Sequence, residues 1–377
     1  MNTVNRATAT AQAPGRVNLI GDHTDYNGGL CLPFAIGLGT TTAARARGDD
    51  RLRIRTSAYD EAWTGRLGDL DLANRATLPT WVRYVAGVLW AARESGWPLP
   101  GLDLVIESEL PVGAGLASSA ALECSVAMAV GALVDRPLDP GSRPSIAELC
   151  RRAETDFVGA PTGGMDQLAS LLALPEHALL VDFADTSLRQ VPLPLREAGL
   201  VVLVIDTGVA HELADATSGY AERRAECDAA AAVLGLPRLG LAWADDLSRL
   251  TEELHQARGR HVLSESARVE DAVAAIKDLD WDRLGATLTS SHASLSRDFA
   301  ASTPELDLAV YTALDAGALG ARLTGGGFGG AAIALVRAED VDEVQRQVDE
   351  AFDDNGHPAP TQLAVLPAAG AAVLAQA

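Results

Sequence analysis

The sequence predicts an α+β protein of two domains, and three observations carry that expectation. At 377 residues the chain exceeds the usual size of one hydrophobic core. Strand-like runs and helical periodicities are mixed in both halves. Near the middle, Leu188–Leu195 carries alternating prolines and then gives way to the apolar run Leu200–Ile205. A domain transition is placed there, dividing the chain into 1–195 and 196–377.

The elements follow in order. Arg51–Thr56 and Leu102–Ser108 read as strands, and Trp81–Glu94, Ala120–Val134 and Ser145–Val158 as helices. Pro98 and Pro100 punctuate a helix-to-strand connection, while Asp135–Pro144, rich in proline and glycine, is a surface loop. A short apolar helix covers Leu168–Leu174. In the second half, Ser218–Leu234 is a helix with Tyr220, Cys227, Ala231 and Leu234 on roughly one face, ended by Gly235 and Pro237. Val269, Val273, Ile276 and Leu279 give Glu265–Leu279 a core-facing stripe. Late strands fall at Ala331–Val336 and Thr361–Leu366.

Composition removes several functions. The net charge is −21, with no basic run, which argues against nucleic acid or an anionic membrane as the main partner. Lys277 is the only lysine, so no glycine-rich loop here can be a P-loop with its phosphate-binding lysine. Cys31, Cys124, Cys150 and Cys227 lack metal-site spacing and suggest no disulfide framework, which fits a reducing compartment. Met1–Ala13 is polar, and the longest strongly apolar stretch, Leu200–Ile205, is too short to span a bilayer. A cytoplasmic protein is expected.

The most informative segment is Gly15–Gly29. Arg16, Asp22, His23, Asp25 and Asn27 crowd between apolar Val17–Ile20 and apolar Leu30–Ile36. Such a crowd is costly to bury without partners and unnecessary for a turn, and it suits a ligand with many hydroxyls. A second segment, Leu110–Ala121, is a loop of small residues feeding a helix. Gly113 and Gly115 permit close backbone approach, free amides at the helix start favour an anion, and Ser118 and Ser119 add hydroxyl ligands for phosphate or Mg²⁺. A serine-capped helix after a flexible loop reads equally well. Glu154 and Asp166 form a third feature. A magnesium nucleotide needs at least one carboxylate, and phosphoryl transfer to a hydroxyl profits from another. An exposed helix carboxylate for Glu154 and a helix cap for Asp166 remain open alternatives.

With these segments together, the chain resembles the galactokinases of the GHMP small-molecule kinase superfamily. Gly15–Gly29 is similar to the galactokinase signature at all but one position, Pro111–Ala121 to the superfamily's phosphate-binding motif, and Arg322–Gly330 to its third, glycine-rich motif. Gly163–Gln167 and the stretch from Ser291 through Asp307 also resemble the pattern. The resemblance implies a two-domain GHMP kinase fold, with an N-terminal domain like ribosomal protein S5 domain 2 and a ferredoxin-like C-terminal domain. It implies transfer of the ATP γ-phosphate to the anomeric hydroxyl of α-D-galactose, with MgATP as co-substrate and a monomeric protein.

By position it implies Asp166 as the catalytic aspartate and Arg16 as its transition-state partner. Asp22, His23, Thr24, Asp25, Gly163 and Tyr220 fall where the family binds sugar. Gly113, Ala114, Gly115, Leu116, Ala117, Ser118 and Ser119 form the phosphate loop; Ser57 matches a nucleotide contact, and Ser119 and Glu154 take the magnesium positions. Phe328 is expected to pack and His292 to be structural. The departure is Asp22, where galactokinases usually carry glutamate; one methylene pulls the carboxylate back by roughly 1.5 Å. That leaves a related sugar kinase acting on L-arabinose, N-acetylgalactosamine or a C6-modified hexose as an alternative. A non-catalytic galactose and ATP sensor is another, although the phosphate-loop residues and Asp166 that such sensors lose are present.

Overall fold

A computed structural model of the chain describes residues 7–111, 113, 115–160, 162–209 and 219–376. Strands β1 (Thr8–Asn18), β2 (Leu30–Cys31) and β3 (Pro33–Ala46) bracket the polar segment: β1 and β3 pair antiparallel, and the segment is the connection between them. The β1–β3 ladder shifts register between Pro14 and Arg16, a bulge that re-aims the strand just where Arg16 leaves it. The hairpin β4 (Arg51–Thr56) and β5 (Tyr59–Arg66) follows, then α1 (Thr80–Glu94), β6 (Leu102–Ser108), α2 (Ser118–Leu133), α3 (Arg143–Arg152) and α4 (Met165–Leu172). Strands β7 (His177–Asp182) and β8 (Ser187–Pro192) form a hairpin that pairs with β2.

The second half begins with β9 (Leu200–Asp206). It continues through α5 (Gly219–Leu234), α6 (Glu253–Lys277), α7 (Trp281–Arg297) and α8 (Pro304–Asp315) to β10 (Gly320–Thr324) and β11 (Ala331–Arg337). It closes with α9 (Val341–Asp354), β12 (Thr361–Val365) and β13 (Ala372–Gln376). These strands form an antiparallel sheet in the order β10-β11-β9-β12. Counted within the unit, that is 2-3-1-4, the arrangement of a ferredoxin-like βαββαβ unit with the long α5–α8 insertion as its first crossover. Strand β13 leaves this unit and pairs with β1, completing a first sheet ordered β13-β1-β3-β6-β4-β5. A cut at 195/196 therefore leaves one strand of the first sheet in the second half of the chain.

Local reasons for the helices are visible in their sequences. Helix α2 is Ala-rich and buried almost throughout, so α1 and the first sheet approach it closely around Val85, Leu89, Leu104, Val126 and Val130. Helix α8 starts with Thr303 accepting the Leu306 N–H and Pro304 in its first turn; α7 starts with Asp280 accepting from Arg283. Helix α9 buries Val344, Val348 and Phe352 at four-residue spacing. One cluster joins Val17, Phe34 and Leu110 to Val204, Val269 and Ile333, so the halves share apolar packing and hold the space between them in a fixed shape.

Two expectations are corrected. Within the proline-bearing stretch, Ser187–Pro192 forms the edge strand β8, and Pro192 and Pro194 stand at its end, where a missing N–H breaks no ladder. Helix α6 starts at Glu253, well before Glu265; its early buried face is Arg258, Gly259, His261 and Val262, mostly polar or small, so the hydrophobic stripe there is weak. Leu279 lies beyond the end of α6 with φ +56° and is 58% exposed, whereas Val269 and Ile276 do face the core. The start expected for α5, Ser218, lies outside the described residues. Among the described residues, no helix is long and apolar enough to cross a membrane.

Candidate active site

Arg16, Asp22, His23, Asp25, Ser119, Glu154, Asp166 and Tyr220 line one cavity of about 90 Å³, closed on another side by Gly325 and Gly326. They come from the β1–β3 connection, the start of α2, the segment after α3, the start of α4, α5 and the loop before β11. Next to it lies a larger cavity of about 520 Å³, which shares Asp25 and Thr162 with the first and includes Gly163. The smaller cavity gathers the convergent charged groups, so the chemistry points there despite its size.

At its centre Arg16 holds Asp166 with both arms, Nε to Oδ1 at 2.6 Å and Nη2 to Oδ2 at 2.8 Å. The remaining Nη1 donates to the carbonyl of Gly115 at 2.6 Å, and the Arg16 backbone N–H donates to the carbonyl of Leu116. One arginine thus ties the glycine loop to the aspartate. Burial alone would lower the Arg16 pKa, but the Asp166 ion pair and hydrogen bond carry it above the ordinary value. Gly15 is required beside it, since a Cβ there would meet Leu116 O at 2.6 Å.

The loop itself rises to Gly113, which is exposed with φ +86°, and returns through Gly115 at φ +68°. Ala117 then takes a left-handed turn (φ +56°) into α2, leaving the first-turn amides of Ser118 and Ser119 without intrahelical acceptors. Ser119 lines the cavity; Ala114 lies outside the described residues. Ser57 is in the exposed turn between β4 and β5, with its N–H on Ile106 O, and lines neither cavity.

Glu154 follows α3 in a turn of π-helix, Ala153–Val158, that buries Ala153, Glu154 and Phe157 together. The open alternative of an exposed helix carboxylate is thereby removed. Glu154 accepts from Ser119 and from Gln167, yet burial and then Asp166 push its carboxyl up to about 7. Asp25 is likewise pushed up to about 6, by burial first and then by the negative charge of Asp166. A Cβ on Gly163 would collide with the Asp25 carboxylate, which gives that glycine its reason.

His23 lines the cavity and Thr24 does not. His23 sits at φ +63°, and its ring is held at both nitrogens: Nε2 donates to Gly326 O at 3.2 Å, and Nδ1 accepts from the Tyr26 hydroxyl at 2.9 Å. Burial, aided by His261, lowers its pKa to about 3, so it is the neutral ring, stacked near Tyr220 and Phe299, that faces the cavity. The Thr24 hydroxyl shares its one proton between the carbonyls of Gly21 and Leu30, at 2.8 and 2.7 Å, and does not line the cavity; it braces the turn.

Sequence reasoning overlooked a buried set beneath the segment. Arg322, 0% exposed, donates to Asp22 Oδ2 at 2.5 Å and to Leu19 O at 3.0 Å, and lies 3.6 Å from Glu265 Oε1. Glu265 also accepts from Gly21 N and Ser291 Oγ. Burial alone would raise Glu265, but Arg322, His261 and Arg268 bring it down to about 2. Asp22 stays above the ordinary value because burial outweighs Arg322. Its Oδ1 accepts from Asn18 and Gly325 N, so the short side chain clamps the third glycine loop while lining the cavity. Phe328 packs against Gly219 and under Arg223, and His292 accepts from Leu323 N, so both are structural. Arg322 was visible as the first residue of the third glycine-rich motif; Glu265 carried no signal.

Among the described residues, no three acidic, histidine or cysteine side chains are grouped as a metal cage. Ser119 and Glu154, with the Asp166 charge nearby, could instead serve as a sparse oxygen set for Mg²⁺, whose shell phosphates and water would complete.

Comparison with known proteins converges on one family. Residues 2–46 match the galactokinase galactose-binding signature, 83–173 the GHMP kinases N terminal domain, and 272–354 the GHMP kinases C terminal domain. The chain is similar to a galactokinase of Streptomyces coelicolor, 46% identical over 95% of this chain and 92% of that protein. It is also similar to one of Mycobacterium bovis, 42% identical over 97% and 99%. The solved galactokinase of Lactococcus lactis complexed with galactose superposes with a TM-score of 0.90 at 29% identity, covering 97% of this chain and 95% of that one. A mevalonate kinase of Methanococcus jannaschii, at 17% identity and TM-score 0.70, shares the fold.

Proposed function

The chain belongs to the galactokinases of the GHMP kinases, and from that premise we propose that it transfers the γ-phosphoryl group of ATP to the anomeric hydroxyl of α-D-galactose, giving galactose 1-phosphate and ADP. The observation that carries the mechanism is the two-armed Arg16–Asp166 pair at the junction of the glycine loop and the polar segment.

Asp166 accepts the proton of the anomeric hydroxyl as its oxygen bonds to the γ-phosphorus and the bond to the β-phosphate oxygen breaks. Such a base is worth ~10²–10⁴-fold. Arg16 orients the carboxylate and offsets charge on the transferring oxygens. The Gly113–Ser119 loop receives the phosphates on its amides and the α2 start. Ser119 and Glu154 would hold Mg²⁺, which when bound would neutralise phosphate charge. Asp25, with Gly163 packed on it, presents acceptors to sugar hydroxyls; His23 and Tyr220 offer ring surface, which suits the apolar face of a pyranose.

The test is ADP release by purified protein with galactose, L-arabinose and N-acetylgalactosamine, with the phosphorylated position read by ³¹P NMR. Galactose is expected to give the highest kcat/KM and a 1-phosphate product. Preference for another sugar would reassign the substrate to the Asp22 departure, and binding of both ligands without ADP would make the protein a sensor.

A further inference from the structure

Glu123 is a buried carboxylate beside this site that the mechanism leaves unused. It stands four residues after Ser119, on the same side of α2, and is wholly buried. Helix α2 is otherwise made of small and apolar residues, and burying a carboxyl among them is costly unless it serves a purpose. Its Oε2 accepts from Gln167 Nε2 at 3.1 Å, and the same nitrogen donates to Glu154 Oε2 at 2.7 Å. An amide NH₂ carries two N–H bonds, and here each goes to a different carboxylate. Among the described residues, Glu123 Oε1 and Gln167 Oε1 have no hydrogen-bond partner. The chain Glu123–Gln167–Glu154 therefore links α2, α4 and the π turn, and its outer end reaches the hydroxyl of Ser119, back on α2.

We propose that Glu123 is a positioning residue for the metal-holding carboxylate, fixing the Gln167 amide so that its second N–H orients Glu154 toward Ser119. An amide turned the other way would set its oxygen against Glu154 Oε2 and give up both N–H bonds, so the bond to Glu123 adds to the preference for the observed orientation. The amide in turn holds one oxygen of Glu154 and leaves the other for a cation, the usual work of a group one bond behind a metal ligand. The inference rests on the reading of Glu154 as the Mg²⁺ residue.

Glu123→Gln, Glu123→Met, Gln167→Met and Glu154→Gln test it, each read by Mn²⁺ binding in the presence of ADP through electron paramagnetic resonance, with melting temperature and galactose binding measured alongside. Glu123→Met and Gln167→Met are expected to weaken Mn²⁺ about tenfold or more with galactose binding little changed, while Glu123→Gln, which keeps an oxygen acceptor, stays within about threefold of wild type. Folded Glu123→Met or Gln167→Met protein that binds Mn²⁺ like wild type overturns the proposal, as does Glu123→Gln as defective as Glu123→Met. If Glu123→Met does not fold, Gln167→Met decides alone. Unchanged Mn²⁺ affinity in Glu154→Gln instead overturns the metal reading itself.

Discussion

Arg16 and Asp166 carry the sharpest residue-scale consequence. Asp166→Asn keeps the shape and one acceptor but cannot take a proton; kcat is expected to fall about 10²–10⁴-fold with galactose binding retained within about tenfold. Kinetics together with calorimetric galactose titration check this, and near-normal kcat would show that positioning outweighs proton transfer. Asp25 gives a pH consequence. Burial, and then Asp166, raise its carboxyl from the ordinary 3.8 to about 6. Between those values the folded protein binds the proton that the unfolded chain has released, so this residue's contribution is fully present below about pH 3.8 and is lost as pH rises through about 6. In the absence of ligands, wild type should lose roughly 2–4 °C of melting temperature relative to Asp25→Asn between pH 4 and 7, measured as the difference of two scanning profiles. A difference that stays flat with pH would mean that Asp25 is ionised without penalty.

At the scale of elements, close backbone approach decides what each can carry. Helix α7 crosses β10 where Gly285 and Gly320 face each other, and a Cβ on either would strike the other's backbone or Leu319 O. Gly285→Ala is expected to push α7 away and cost about 1–3 kcal/mol, read from urea unfolding, with Mg²⁺ dependence unaffected. The π turn after α3 shows the same logic at the site. A regular helix through Val158 was the natural reading of the sequence, yet the turn widens at Ala153–Val158 and buries Glu154 beside Ser119. Helix periodicity alone could not have placed that carboxylate indoors.

Across the whole molecule, Arg322 connects the two halves. It reaches from β10 to the carbonyls and carboxylate of the first polar segment and lies close to Glu265 of α6. Arg322→Met would leave Asp22 buried without its cation and Glu265 with Arg268 alone, at a cost of about 3–5 kcal/mol, seen as a lower denaturation midpoint and weaker galactose binding together. Loss of binding at full stability would instead make Arg322 a ligand contact. Strand β13 contributes differently: it closes the first sheet through backbone pairing with β1, far along the chain from its partner.

The sequence by itself determined the α+β class, several helices and a minority of the strands, the family and the polar segment around which the site forms. Those features are local: periodicity, turn residues and motif spacing all act over a few residues. Only the tertiary structure decided how the polar groups divide their work. His23 and Thr24 have the right types for hydroxyl contacts, but their polar atoms are engaged by Tyr26, Gly326, Gly21 and Leu30. Arg322, Glu265 and Glu123 act through partners 300, 244 and 44 residues away. The energy of a buried charge depends on which groups meet it in space, and no period in the chain records that meeting.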